Sequence, residues 1–290
     1  MIKSNQTTKL GGMALNIIKN TIKVGAKRPF TFLHMTDTHL TRTNSSDTSE
    51  RAAFAKQRRD AYFKTADEEL EFAQNYSKKT GYPIIHTGDL VDFITQENLI
   101  VAREFAQKTD MLFIAGNHEI HTCPNNVFCE EDFTKDLNNK QKNLDATNEF
   151  FQNDIDFFCK EINGVFLVGI NNYDYQISCE NFAKLKEIAS NKKPIIIFMH
   201  IPLYEEALYE KMGGALLSIP DSIMENQREF IKFEQQADEI TKEAAEFIRN
   251  CPEIKCTVCG HLHFDFESPD NAPIKQYVTG LNCLREITVE

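Results

Sequence analysis

Seven side chains in five short blocks of this sequence have the donor types and spacing of a metal site. The blocks are Asp37-Thr38-His39, Gly88-Asp89-Leu90-Val91-Asp92, Gly116-Asn117-His118-Glu119, the lone His200, and Gly260-His261-Leu262-His263. The donors are Asp37, His39, Asp89, Asn117, His200, His261 and His263. Carboxylate, imidazole and a carboxamide oxygen together suit borderline-hard cations. A pair of such cations can clamp and hydrolyse a phosphate ester. Four of the eight histidines are in the set, and a fifth, His118, adjoins Asn117.

Each block alone is weak, since D-x-H arises by chance and any one histidine packs in a core more often than it binds metal. In extended backbone, residues two apart share a face, which would aim Asp37 with His39, and His261 with His263, at common ions. Asp89 has two oxygens and can bridge two cations. With Asp37 and Asp89 ionised, two dications leave a local charge near +2, which favours a phosphate ester. His118 is a candidate proton donor to a departing alkoxide. Asp92 is a candidate to fix its tautomer, or else to cap the helix expected over Phe93–Gln107.

Short apolar runs must position these blocks. Strands are expected at Phe30–Met35, Pro83–His86, Met111–Ala115, Val165–Ile170, Pro194–Met199 and Ile254–Val258, with two more at Ile274–Thr279 and Leu284–Val289. One helical stripe runs through Phe54, Tyr62, Ala66, Leu70, Ala73 and Tyr76, broken by Arg58. A second joins Leu144, Phe151, Ile155 and Phe158, and the longest runs from Phe230 to Phe247. Alternating strands and helices predict an α/β architecture, and open α/β sheets place their sites at strand ends.

Charge and composition narrow the function. A formal charge of −11 opposes broad attraction to DNA or anionic membrane, which disfavours a nuclease. No apolar run is long enough to span a membrane, and Met1–Arg28 has no continuous apolar core of a signal peptide, so a cytoplasmic protein with reduced thiols is expected. Cys256 and Cys259 would point to opposite faces of a strand, as core cysteines do and zinc ligands do not. A structural zinc site would use more thiolate.

The ordered set D-x-H, G-D-x-x-D, G-N-H-[D/E], H and G-H-x-H resembles the calcineurin-like metallophosphoesterase superfamily. The resemblance implies a four-layer α/β/β/α sandwich with two central mixed sheets and a dinuclear site. It implies that Asp37, His39, Asp89 and His263 hold one metal, that Asp89, Asn117, His200 and His261 hold the other, and that His118 is the leaving-group acid oriented by Asp92. Manganese, iron, zinc or cobalt would suit these ligands. The expected reaction is attack on phosphorus by a hydroxide shared between two ions about 3.5–4 Å apart. Asp92 is followed by Phe93-Ile94 rather than the Arg-Gly of protein Ser/Thr phosphatases. That departure, with Thr36-Asp37-Thr38-His39-Leu40, leans toward bacterial enzymes acting on small phosphodiesters. A phosphomonoesterase or protein phosphatase is the alternative, and a non-catalytic scaffold of the same fold would be expected to have lost donors.

One domain is expected over residues 1–290, with 1–28 an edge strand or arm and 203–221 a lid or surface loop. His121 and Tyr204 are candidate substrate contacts. His34 and His86 are expected in the core or behind the ligands, and Arg42 and Arg51 on the solvated surface.

Overall fold

The computed structural model describes residues 4–10, 13–120, 137–215 and 238–290. Two six-stranded mixed sheets lie face to face. The first has the order β1 (Ser4–Leu10), β2 (Met13–Ile22), β12 (Cys283–Val289), β3 (Phe30–Met35), β4 (Ile84–His86) and β5 (Leu112–Phe113). The second has the order β10 (Phe266–Glu267), β11 (Lys275–Val278), β9 (Ile254–Cys259), β8 (Ile195–Phe198), β7 (Val165–Ile170) and β6 (Phe157–Ile162). Strands β3, β4 and β5 run parallel, as do β7, β8 and β9.

The period-2 alternation of strands distributes side chains among three cores. Phe32, Ile85, Ile196, Phe198, Cys256, Val258 and Ile287 fill the space between the sheets. Leu33, Met35 and Ile84 face outward onto α2 (Ala66–Thr80), α3 (Gln96–Thr109) and α4 (Leu137–Asn148) through Leu70, Phe105 and Leu144. Ile195, Ile197 and Cys259 face α5 (Cys179–Ala189), α6 (Glu206–Ala215) and α7 (Glu239–Asn250) through Leu185, Leu208 and Ile248. The result is the four-layer α/β/β/α sandwich. Cys256 and Cys259 enter opposite cores, both buried.

Several local expectations need correction. The stripe from Phe54 to Tyr76 is two helices, α1 (Ser49–Ala61) and α2, separated at residues 62–65. The stripe from Leu144 to Phe158 ends as helix at Asn148, and Phe158 belongs to β6. A period of three or four fitted Phe158 by accident, because its burial comes from the inter-sheet core. Residues 13–22 are no loose arm: β2 pairs with β12 over seven residue pairs, and β1 is the edge. Residues 206–215 form α6 rather than a loop, with Leu208 and Met212 buried in the outer core. Positions 216–221 lie outside the described residues, as do 230–237 of the long helical stripe. No helix among the described residues is long and apolar enough to cross a membrane.

Between the sheet ends lies a fully buried cation. Arg285 of β12 donates to Asn20 Oδ1 (2.7 Å), Glu267 Oε1 (3.0 Å), Thr279 Oγ1 (3.0 Å) and the Val278 carbonyl (2.9 Å). Removing one member of a buried ion pair strands the other charge. Arg285→Met should therefore lower the unfolding free energy by about 3–5 kcal/mol in urea titration; a change below about 1 kcal/mol would mean that Glu267 is solvated after the substitution.

Candidate metal centre

All five blocks sit in the loops that follow the C-terminal ends of parallel strands. Asp37 and His39 follow β3, Asp89 follows β4 and Asn117 follows β5 of the first sheet. His200 follows β8, and His261 and His263 follow β9 of the second. The seven donors meet where the two sheets abut.

The backbone there is not extended. Asp37, His39, Asp89, His261 and His263 all have positive φ, between 52° and 71°. Left-handed backbone costs a non-glycine residue roughly 1–3 kcal/mol. Each pair converges through these tight turns and not through strand alternation. Glycines permit the crowding: a Cβ on Gly88 would lie 2.4 Å from the Gly116 nitrogen, and one on Gly260 would lie 2.0 Å from Thr36 Oγ1 and 2.6 Å from Asp37 Oδ2.

Two clusters result. In the first, His39 Nε2 and His263 Nε2 are 3.0 Å apart. Asp37 Oδ1 is 3.5 Å from His263 Nε2 and 4.0 Å from His39 Nε2. In the second, His200 Nε2 lies 3.0 Å from Asn117 Oδ1, 3.2 Å from Asp89 Oδ2 and 3.3 Å from His261 Nδ1. The same Asp89 Oδ2 is 3.7 Å from His39 Nε2, so one carboxylate oxygen faces both clusters.

Hydrogen bonds behind the donors decide which ring nitrogens carry lone pairs. His200 Nδ1 is 2.7 Å from the Thr87 carbonyl, which can only accept, so Nδ1 donates there. His39 Nδ1 is 3.2 Å from Asp92 Oδ1. Burial raises the Asp92 carboxyl, but Arg58, His118 and His39 more than offset this and keep it ionised. His39 Nδ1 therefore donates as well, and both Nε2 atoms are left facing other acceptors. Burial also opposes charge at Asp89 and at His200. The imidazoles around Asp89 nevertheless hold it well below the usual carboxylate range, and Asp89 and Asp37 raise His200 to about 9. The site thus draws positive charge into a buried place. Cations satisfy several such acceptors at once, and the two His/Asp clusters fit a dinuclear metal site.

A third close grouping, His39, Asp92 and His118, is of another kind. Asp92 Oδ1 and Oδ2 accept from Arg58 Nη2 and Nε at 2.7 Å each, so its oxygens are occupied by donors. His118 donates from Nδ1 to the Asp92 carbonyl at 2.6 Å, and Nδ1 is 3.3 Å from Asp92 Oδ1. Its Nε2 is 4.0 Å from Asp89 Oδ2. Burial lowers the His118 pKa, but the charges of Asp89 and Asp92 prevail and raise it to about 10. Asp92 does not cap α3; Thr95 does, accepting from the Asn98 N–H.

Other sequence candidates fall elsewhere. His34 and His86 are buried behind the donors: His34 bonds Thr279 and Thr87, and His86 bonds Thr38 and the Gly88 N–H. The Tyr204 hydroxyl donates to Glu206, and its ring centre lies 6.1 Å from that of Tyr209. His121 lies outside the described residues. Two contributors were missed in the sequence. Arg58 announced itself as a charge on an apolar stripe. Glu119 is fully buried and accepts from the Asp89, Gly116 and Val91 N–H groups at 2.8, 2.7 and 3.1 Å. It ties together the two loops that present Asp89 and Asn117; the sequence placed it at the end of the G-N-H-[D/E] block but gave it no role.

The fold pairs two mixed sheets, and the His/Asp clusters at their ends fit a dinuclear metal site. The sequence pattern of the calcineurin-like phosphoesterases matches residues 30–265. The chain belongs to that family, and is a hydrolase acting on phosphoric esters. Its fold is similar to that of a dimetal phosphatase from Danio rerio, at 10% identity and a TM-score of 0.51, over 87% of each chain. Weaker likeness extends to a purple acid phosphatase from yellow lupin seeds (10% identity, TM-score 0.47), over 95% of this chain and 46% of that one. It also extends to a phosphopantetheinyl hydrolase from Mycobacterium tuberculosis (11% identity, TM-score 0.42), over 89% and 90%. No curated protein matches the sequence significantly.

Glu119→Gln keeps the shape but points an amide NH₂ at a backbone N–H. One buried donor left unsatisfied costs about 1–3 kcal/mol. Denaturant unfolding should show that loss together with reduced metal content by elemental analysis. Undiminished stability and metal content would show that the loops do not need this carboxylate.

Proposed function

We propose that the chain hydrolyses small phosphodiesters at a dinuclear metal centre. Asp37, His39, Asp89 and His263 would hold one ion, and Asp89, Asn117, His200 and His261 the other. The observation that carries this reading is the single Asp89 oxygen facing both clusters, with the Nε2 atom of His118 turned toward the same carboxylate. Manganese, iron, zinc or cobalt would suit the mixed oxygen and nitrogen set. When bound, such ions supply an activated water and neutralise charge on the phosphoryl oxygens.

The residues of the chain do the rest. The Asp92 carboxylate accepts from His39 and stands 3.3 Å from His118 Nδ1, so one residue fixes the ligand through its side chain and the acid through its backbone carbonyl. His118 keeps its Nδ1 proton on the Asp92 carbonyl and presents Nε2 toward the reacting atoms, from where it gives a proton to the leaving oxygen. Without bound ions, and against its burial, the charges of Asp89 and Asp92 raise the His118 pKa; once cations take up the Asp89 charge, Asp92 is the anion left to favour the protonated ring. A donor of that kind is lost as pH rises through its pKa, so His118 should contribute the alkaline limb of kcat. Ligand protonation acts oppositely, and metal affinity should fall as pH falls.

The diester lean is supported by the arginines. A monoester dianion asks for more positive charge than a diester monoanion. Yet Arg42 is paired with Asp67, Arg51 with Asp47 and the Ile94 carbonyl, and Arg58 with Asp92. A phosphomonoesterase is the second reading, since dimetal phosphatases share the fold. The shared inter-sheet core supports one functional unit over the chain.

Hydrolysis of bis-p-nitrophenyl phosphate against p-nitrophenyl phosphate with added manganese tests the lean. A diester preference is expected, and turnover of the monoester alone would reverse it. His118→Ala should cost about 10²–10⁴-fold in kcat with a poor leaving group and much less with p-nitrophenolate, and should abolish the alkaline limb. Equal losses on both would remove His118 from the acid role. Asp89→Asn should lower metal content and turnover together, and full occupancy by elemental analysis would contradict a bridge.

A further inference from the structure

Asp92 serves two imidazoles, and something must hold it in the orientation that suits both. The carboxylate is completely buried. Oδ1 accepts from His39 Nδ1 at 3.2 Å and is 3.3 Å from His118 Nδ1. The other strong donor on it is Arg58, at the last turn of α1. Nε reaches Oδ2 and Nη2 reaches Oδ1, both at 2.7 Å. A planar guanidinium forked onto a planar carboxylate fixes the plane of the carboxylate as well as its charge. Arg58 itself is held: its guanidinium carbon lies 5.2 Å from the Tyr62 ring centre and 5.2 Å from that of Phe63. Phe63 in turn stacks on His39, with centroids 4.2 Å apart and planes 13° off parallel. The end of α1 and the residues just after it thus touch His39 from two sides, through Asp92 and through Phe63.

We propose that Arg58 is a positioning residue of the metal centre, fixing the Asp92 carboxylate in the orientation that accepts from His39 and keeps a negative oxygen beside His118, whose own Nδ1 proton is held by the Asp92 backbone carbonyl. No hydrogen bond joins Arg58 to either imidazole, so its effect must pass through Asp92. Loss of the fork leaves a buried carboxylate free to turn about its Cβ–Cγ bond. His39 then loses its fixed tautomer, and His118 loses the anion beside its Nδ1. Substituting such an outer partner typically costs about 10–100-fold in metal affinity or activity. The geometry separates two roles for the side chain. A lysine supplies the charge without the fork, and a glutamine supplies one donor without the charge.

The proposal rests on the reading of the site given above, and the test keeps the two apart. Arg58→Gln and Arg58→Lys are compared with the parent in the full-length, metal-loaded protein, on phenyl and p-nitrophenyl esters of the same phosphate class. Cobalt(II) binding is followed separately by visible absorption, and folding by thermal melting. With Arg58→Gln, KM should hold while kcat on the phenyl ester falls about 10–100-fold, with a smaller loss on the p-nitrophenyl ester. One of two cobalt equivalents, the one at His39, should bind about 10–100-fold more weakly. Arg58→Lys should recover only part of each loss. Equal losses on both esters with both cobalt equivalents unchanged would overturn the proposal, as would full recovery by lysine. Where the glutamine variant does not fold, the lysine variant carries the same readouts. If the parent hydrolyses neither ester, the phosphodiesterase reading fails by itself. The cobalt titration then still decides for Arg58, because two unaltered equivalents would overturn its role.

Discussion

The structure turns on one carboxylate held against two groups of lone pairs. Asp89 is buried, left-handed in backbone, and positioned from both directions: its N–H is fixed by Glu119, and its Oδ1 accepts from the His118 N–H at 2.9 Å. Its Oδ2 lies beside the Nε2 atoms of His200 and His39, whose Nδ1 protons are committed to the Thr87 carbonyl and to Asp92. Such a grouping is unfavourable until positive charge enters it, since buried acceptors facing one another have lost water without gaining a donor. Folding energy from three apolar cores holds that arrangement in place, and the left-handed turns at five of the seven donors show where it is spent.

Behind the donors run hydrogen bonds that tie them to the fold. Arg285 donates to Thr279, Thr279 meets His34, and His34 meets Thr87, whose carbonyl orients His200. On the other side Arg58 and Asp92 do the same for His39. The first sheet thus aims a donor of the second through Thr87, and the His261 N–H of the second holds the Asp37 carboxylate of the first at 2.9 Å. This explains why the centre sits where the sheets abut: three blocks come from one sheet and two from the other, and neither sheet alone completes a cluster.

Much of this was legible in the residues. The buried strands β3, β4, β7, β8, β9 and β12 declared themselves because continuous apolar runs have few other readings, and their ends placed the blocks. The convergence of seven donors followed from residue type, spacing and order. The reason offered for the pairing of Asp37 with His39, and of His261 with His263, was wrong: a turn brings them together, and nothing short of the backbone torsions shows it. Arg58 was visible only as a defect in an apolar stripe, because its partner is thirty-four positions away in sequence. Glu119 was visible as the last residue of the G-N-H-[D/E] block, but its role was not, since its three partners are backbone N–H groups that leave no mark in sequence.

The most direct measurement is a crystal structure of the metal-loaded protein with anomalous scattering at the absorption edge of the bound metal. Two peaks are predicted, one among Asp37, His39, Asp89 and His263 and the other among Asp89, Asn117, His200 and His261, with an Asp89 oxygen between them. A single peak, or a peak at Asp92 and His118 in place of either, would contradict the account.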